Sequence, residues 1–231
     1  LAAALALNEK GIKVDVFERS REIAELGVGI NTLPHAIKEL AAMGLLDALD
    51  RVGVRTEELI YMNRFGSRIW REPRGIAAGF EVPQYSIHRG KLQSVLYEAV
   101  LSRIGAEHVH TGMQMTSFAE EDGGVTAVFE RRADGAVRSF AGDLLIGADG
   151  IHSTVRAAMH FGEGAPRWNG IMLWRGAAPW APFLTGRSMI IAGGMRAKLV
   201  LYPIYYDPAK PDEPLMNWAV AARLGDGSSP P

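Results

Sequence analysis

The residues with the most chemical content sit in one stretch, Gly147-Ala148-Asp149-Gly150-Ile151-His152-Ser153-Thr154-Val155-Arg156. The apolar run Leu144-Leu145-Ile146 just before it predicts a buried strand. Ser153 is a good N-cap for a helix over residues 154–159. A strand therefore stops at a glycine-flanked carboxylate, and a helix starts soon after. Gly147 and Gly150 would let the chain turn sharply and approach a ligand closely. At the carboxyl end of a parallel strand, backbone N–H groups and one acid could then meet a phosphate–sugar ligand. A plain turn in any α/β protein has the same pattern, so the rest of the chain must decide.

Three further places carry candidate chemistry. The apolar stretch 1–7 predicts a helix that ends at Gly11, a natural C′ residue, and Ile12-Lys13-Val14-Asp15-Val16-Phe17-Glu18 predicts a strand. Helix, glycine, strand and terminal acid form the second half of a dinucleotide-binding βαβ unit, where the acid accepts from ribose hydroxyls. A strand-end acid that is merely solvated fits Glu18 as well. Gly27-Val28-Gly29-Ile30-Asn31 predicts a glycine-rich loop leading into a helix over 34–49, with Pro34 near N1 and Ile37, Leu40, Ala41 and Leu45 as its apolar stripe. Those glycines serve either a turn or close approach to a flat ligand. Arg89 stands where Ser86-Ile87-His88-Arg89-Gly90 enters an amphipathic helix over 91–104. A guanidinium there suits a phosphate, although position alone favours a surface arginine.

The remaining elements must position these groups. Leu59-Ile60-Tyr61-Met62-Asn63 and Ser67-Arg68-Ile69-Trp70 predict a hairpin, followed by a proline- and glycine-rich excursion over 72–85. Residues 107–146 read as a β-meander with turns at Asp122-Gly123-Gly124 and Asp134-Gly135, and with Val125, Ala127 and Phe129 alternating inward. After Pro166 come strands at 171–176, 189–192, 198–202 and 215–220 that read as an antiparallel, aromatic-rich sheet. A domain junction is expected near residue 166.

Composition narrows the function classes. The 231 residues are 48% hydrophobic and 22% charged with a net charge of −1, which offers no basic field for nucleic acid and no polybasic membrane patch. Zero cysteines exclude a disulfide framework, a thiolate metal site and a cysteine nucleophile, in keeping with a cytoplasmic setting. The opening apolar run lacks a basic flank and is too short for a signal peptide or membrane span. No catalytic triad, metal cluster or carboxylate dyad is evident. Starting at Leu1 inside a helix and stopping in a loop, the chain reads as a fragment of a longer protein.

Taken in order, these pieces resemble the FAD-dependent aromatic hydroxylases, the single-component flavoprotein monooxygenases of the p-hydroxybenzoate and salicylate hydroxylase type. The resemblance runs from Glu18-Arg19 through residues 27–31 and Ile87-His88-Arg89 to the Asp149-Gly150 motif, and Trp174-Arg175-Gly176 and Leu201-Tyr202-Pro203-Ile204 fit the same family's substrate domain. The full GADGIHSTVR form is specific. Residues 27–31, Glu72-Pro73-Arg74-Gly75 and 83–90 look most like the phenazine-carboxylate hydroxylase branch, without fixing a phenazine substrate.

The resemblance implies an α/β fold: an incomplete Rossmann-like FAD-binding domain, lacking its first strand and C-terminal part, with an inserted β-meander and a mainly antiparallel β substrate domain. Residues 1–56 and 86–166 would form the FAD-binding domain, and 57–85 and 167–231 the substrate domain. It further implies that Glu18 and neighbouring Arg19 serve the adenosine ribose, that Arg89 meets the ribityl–pyrophosphate region, that Gly29 and Ile30 lie near the flavin ring, and that Asp149 and Gly150 sit against the ribityl and pyrophosphate. Arg156 would brace the motif, and His152 would cap or face solvent. Trp174 and Tyr202 are candidates for the substrate pocket. The implied reaction hydroxylates an aromatic or heteroaromatic molecule with FAD, NADH or NADPH, and O2, through a flavin hydroperoxide. No side chain need be catalytic, since the flavin does the chemistry. A homodimer is among the expected assemblies, and neither nucleic acid nor membrane is an expected partner. The family's glycine fingerprint and its second Gly-Asp motif are not in the sequence, and Gly225-Asp226 reads as a loop. The alternatives are a non-hydroxylating flavin oxidoreductase on the same fold, or an inactive truncated fragment that does not hold FAD. The 231-residue piece alone is expected to bind FAD poorly.

Overall fold

The computed structural model describes residues 1–23, 27–121 and 123–227. Among them the elements run α1 (Ala2–Asn8), β1 (Val16–Glu18), β2 (Gly29–Thr32), α2 (Pro34–Ala42), α3 (Leu46–Val52), β3 (Gly53–Thr56), β4 (Glu58–Met62) and β5 (Arg68–Pro73). Next come β6 (Gln84–His88), α4 (Arg89–Arg103), β7 (Val109–Thr111), β8 (Met113–Glu121), β9 (Gly124–Arg131) and β10 (Val137–Gly142). The last are α5 (Thr154–Met159), β11 (Ile171–Pro179), β12 (Ser188–Gly193), β13 (Ala197–Tyr205) and β14 (Leu215–Arg223). Contacts divide the chain into two units, one of residues 3–23 and 100–167, the other of the described residues within 24–99 and 168–231.

In the first unit, α1 ends as its glycine dictates. Gly11 takes φ +72° and donates to the Asn8 carbonyl, while Ile12 donates to Leu7, which closes the last turn with two backbone bonds. The strand that follows is shorter than expected, Val16–Glu18, because only these residues find a partner, the parallel strand β7. The meander is an antiparallel sheet in the order β10-β9-β8. Ala127 and Phe129 point inward with Met113, as the alternation requires. The Asp122 side of the first turn lies outside the described residues. Phe17 stacks on Phe129 at 4.1 Å between centroids and meets Phe140 edge-on at 4.7 Å. Each such pair adds roughly 0.5–1.5 kcal/mol beyond the area it buries.

Residues 144–146 are a correction. They form no strand, and Leu144 and Ile146 are 73% and 50% exposed. An extended segment becomes a strand only by pairing its backbone, and no described strand pairs with this one. Apolar content alone cannot supply the ladder.

The second unit holds two sheets. The larger has the order β11-β14-β13-β12-β4-β5, so the expected hairpin β4–β5 joins the strands after residue 166. It is antiparallel except where β12 runs parallel to β4. The smaller sheet, β2-β6-β3, is antiparallel. It shows that residues 29–32 are a strand where a loop was expected: Ile30 pairs with Ile87 and Thr32 with Tyr85, and both Ile30 and Thr32 are β-branched residues suited to a pleated surface. β6 packs against β13. That packing is why residues 27–56 and 86–99, expected with the FAD-binding portion, group by contact with the strands after 166.

The single helix expected over 34–49 is two. Gly44 at φ +68° donates to Ala41, and Leu45 donates to Leu40, so the chain leaves the helix there and starts a new one. The apolar stripe survives the break, with Ile37, Leu40, Leu45 and Leu49 all buried. α4 begins at Arg89, two positions earlier than its apolar pattern suggests.

Phe129→Ala removes the most buried ring of the aromatic cluster and is expected to cost about 3–5 kcal/mol. Urea unfolding followed by far-UV circular dichroism should show the loss as a lowered midpoint.

Candidate functional site

In the first unit the Asp149 carboxylate is turned toward its own helix. Oδ1 accepts from the Ser153 hydroxyl at 2.5 Å, and Oδ2 accepts from the Thr154 and Val155 amides at 2.6 and 3.3 Å. The Ser153 hydroxyl oxygen in turn accepts from the Arg156 amide at 2.9 Å, as its N-cap reading requires. Three of the first amides of α5 are therefore taken within the motif. The N–H groups left to a ligand lie before the helix, at 150–152.

Burial pushes the Asp149 carboxyl up, but the Ser153, Val155 and Thr154 bonds outweigh it and hold it below its ordinary range. The two glycines have different tasks. A Cβ on Gly147 would sit 2.8 Å from Cβ of Val155, so glycine lets the turn close onto α5. Gly150 takes φ +83° and has open space where a Cβ would be, leaving its backbone bare. Arg156 ties the far side, donating to Glu163 and to the Ile151 carbonyl. In the same unit Glu18 ends β1 half-buried, and its Oε1 accepts from the Ser20 amide at 2.7 Å. Exposed Arg19 follows it.

In the second unit Gly29 is gripped from both sides. Its N–H donates to Asn217 Oδ1 at 2.8 Å, and its carbonyl accepts from Arg175 Nη2 at 2.7 Å. A Cβ there would lie 2.7 Å from each of Asn217 Cβ, Ile204 Cγ2 and Tyr202 Cε2. Only glycine lets β2 come this close to the large sheet. Gly27 adopts φ +124°, and a Cβ on it would fall 2.8 Å from Arg89 Nε. The Arg89 amide donates to the Val28 carbonyl at 3.0 Å, and His88 Nε2 lies 3.0 Å from the Gly27 carbonyl. Arg89 thus packs on Gly27, two residues before the Gly29 contact, and Ile30 after it is 37% exposed.

The two substrate candidates do not share a face. Tyr202 pairs with Asn217, and Arg175 with Ala219, so Tyr202, Arg175 and Asn217 point to the side where Gly29 lies. Trp174 pairs with Val220 and points to the opposite side, 47% exposed. Tyr202 is buried; its phenol is pushed up by that burial, against the Arg175 charge and a hydrogen bond with Asn31. Asn31 itself accepts from Ser86 at 2.8 Å. Arg175 and Asn217 were missed as site residues in the sequence. Their alternation along β11 and β14 could have found them, given the pairing partner that fixes which face is which.

A cavity of about 750 Å³ lies elsewhere in this unit, between Val54, Arg55, Leu184, Arg187 and Tyr206. Its polar groups already have partners: Arg55 on Asp50, Arg187 on Glu57 and Tyr206 on the Gly186 carbonyl. No group of three or more metal-ligating side chains is gathered among the described residues, and none of the described helices is long and apolar enough to cross a membrane.

Residues 1–180 match the model of an FAD-binding domain family, and the chain belongs to that family. Among similar proteins is a phenazine 1,6-dicarboxylic acid hydroxylase, PhzS, of Lysobacter antibioticus, 43% identical over 221 residues, covering 94% of this chain and 54% of that protein. A 3-hydroxybenzoate 6-hydroxylase of Aquipseudomonas alcaligenes is 31% identical over 182 residues, 78% of this chain and 44% of that one. The FAD complex of a point variant of Klebsiella pneumoniae HpxO superposes with a TM-score of 0.74 at 27% identity, over 99% of this chain and 56% of that one. The chain spans about half the length of the relatives it matches.

The residues present fit an FAD. Gly150 offers bare backbone, and Glu18 keeps Oε2 without a partner among the described residues. Having no Cβ, Gly27 lets the Arg89 guanidinium lie against the main chain, a charged donor set held at the loop. Beside it His88 Nδ1 is buried without a partner among the described residues, the kind of atom a ligand hydroxyl satisfies.

Two outcomes follow. Gly29→Ala overpacks the β2 contact and should cost about 1–3 kcal/mol, read as a lowered melting temperature. Asp149→Ala should cost about 1–2 kcal/mol at neutral pH. Because the folded carboxyl lies below its 3.8 reference, its contribution is full above that value and is lost as pH falls through the folded one. Urea midpoints of wild type and Asp149→Ala should therefore converge in acid.

Proposed function

We propose that this chain is the cofactor- and substrate-holding part of an FAD-dependent monooxygenase that hydroxylates an aromatic or heteroaromatic small molecule with NADH or NADPH and O2. The observation that carries the reading is the Gly27–Gly29 backbone, packed between the Arg89 guanidinium and the sheet face of Arg175, Tyr202 and Asn217. Bound FAD supplies the redox chemistry, taking reducing equivalents from the nicotinamide and activating oxygen.

The side chains bind, orient and exclude water. Glu18 accepts from ribose hydroxyls through the oxygen that Ser20 does not use, with Arg19 beside it. Arg89 offers a planar, permanently charged donor set to phosphate. Asp149 keeps the turn rigid, and Gly150 lets backbone approach the ribityl–pyrophosphate chain. Gly29 and Ile30 form the wall next to the flavin ring.

The substrate belongs at the rim of the Tyr202 face, where Arg175 is exposed beyond the Gly29 contact. There an aromatic ring and a phenol that stays protonated at neutral pH stand beside the Arg175 charge. An apolar ring with one anionic or phenolic substituent meets all three. Relatives named for a phenazine dicarboxylic acid and a hydroxybenzoate support that substrate class. Trp174, on the other face, is left out of the pocket.

The full-length protein supplied with 18O2, NAD(P)H and a panel of aromatic acids should show substrate-dependent NAD(P)H oxidation and a product carrying one 18O atom. Substrate turnover without label in the product would instead establish a non-hydroxylating flavin oxidoreductase. Arg89→Ala should weaken FAD binding by roughly tenfold or more, the loss of one charge-assisted contact, as followed by flavin fluorescence.

A further inference from the structure

Asn217 is 1% exposed and lies on a strand of the large sheet, and among the described residues its side-chain carbonyl is used on one group, the Gly29 N–H. Arg175 holds the other side of the same residue through the Gly29 carbonyl. With Tyr202 and Ile204 filling the space a Cβ would need, Gly29 has one position available to it. The neighbouring residues inherit that position. Val28 accepts from the Arg89 amide, Gly27 accepts at 3.0 Å within reach of His88 Nε2, and the Arg89 side chain lies against the Gly27 Cα.

We propose that Asn217 is a positioning residue for Arg89, acting through Gly29 and the Val28–Gly27 backbone. It touches neither Arg89 nor the cofactor in this scheme. Its amide is uncharged and buried, so its effect is geometric: it satisfies a donor that would otherwise be unpaired, and it anchors β2 at the register from which Arg89 is presented. The inference rests on the reading of Arg89 as the phosphate-binding residue.

The effect separates from ordinary stabilisation because riboflavin lacks the phosphates that FAD carries. In the full-length protein, Asn217→Leu should weaken FAD about tenfold and riboflavin, whose ring also lies by Gly29, by clearly less, both read by flavin fluorescence titration. Asn217→Asp keeps an acceptor and should recover most of the FAD affinity. Combined with Arg89→Ala, Asn217→Leu should weaken FAD no more than it weakens riboflavin, a non-additive cycle between residues that are not in contact. Ser188→Ala, a buried change elsewhere in the same sheet, should lower the melting temperature without altering the FAD-to-riboflavin ratio.

Equal weakening of FAD and riboflavin, or additivity with Arg89→Ala, would overturn the proposal and leave Asn217 as a folding residue. If Arg89→Ala alone leaves FAD affinity unchanged, the phosphate reading of Arg89 fails and takes the inference with it. Should Asn217→Leu not fold, Asn217→Ser, too short to reach Gly29, carries the same comparison.

Discussion

The close approach of β2 to the large sheet is the constraint on which the second unit depends. Two hydrogen bonds pin the Gly29 residue from opposite sides, and the missing side chain makes that distance reachable. If β2 stood off by the width of a methyl group, Asn217 would lose its donor and Arg175 its acceptor. A buried N–H left without a partner costs about 1–3 kcal/mol, more than a typical bond contributes when made. The arrangement is therefore close to all-or-none. It also explains why a short segment that opens on a glycine is a strand: pairing with β6 on one side and side-chain bonds from β11 and β14 on the other leave no backbone group of Gly29 to solvent.

The Asp149 motif follows a different rule. A glycine-flanked acid before a helix suggests a carboxylate waiting for a ligand, yet its oxygens bond Ser153, Thr154 and Val155. The acid acts on its own chain, holding the turn so that backbone at Gly150 stays open. Rigid backbone donors are better ligand contacts than a side chain that must first be desolvated and ordered. The same logic is visible at Gly27, where a positive φ admits the Arg89 guanidinium against the main chain. In both units glycine provides the approach and a polar side chain fixes it.

What could be read in advance was what local chemistry decides. Ser153 caps, Gly11 terminates, Ala127 and Phe129 face inward, and the hairpin at 58–73 forms where its turn residues allow. What could not be read was pairing. Residues 144–146 have the composition of a strand and no described partner; residues 29–32 follow glycines enough for a loop and have a partner in β6. Gly44 was visible as a residue but hidden inside a continuous apolar stripe, because a left-handed cap lets the stripe resume after the break. Trp174 and Tyr202 were equally plausible as aromatic residues on strands. Only the register, Trp174 opposite Val220 and Tyr202 opposite Asn217, separates their faces.

That separation bears on chemistry more than on packing. On the Tyr202 face a cation, a buried phenol and a neutral amide are brought to one glycine; the Trp174 face carries Trp218, Val220 and Leu199, all apolar and partly exposed. A single apolar sheet face offers area without orientation. A face that mixes one charge, one phenol and aromatic surface can orient a flat molecule, because each polar group accepts only certain partners at certain angles. Oxygen transfer to a ring needs one carbon presented to the cofactor and water kept away, and orientation supplies the first of these. In the proposed reaction the sheet restricts how a ring can lie, and the register that turns Arg175 and Tyr202 the same way makes that restriction possible.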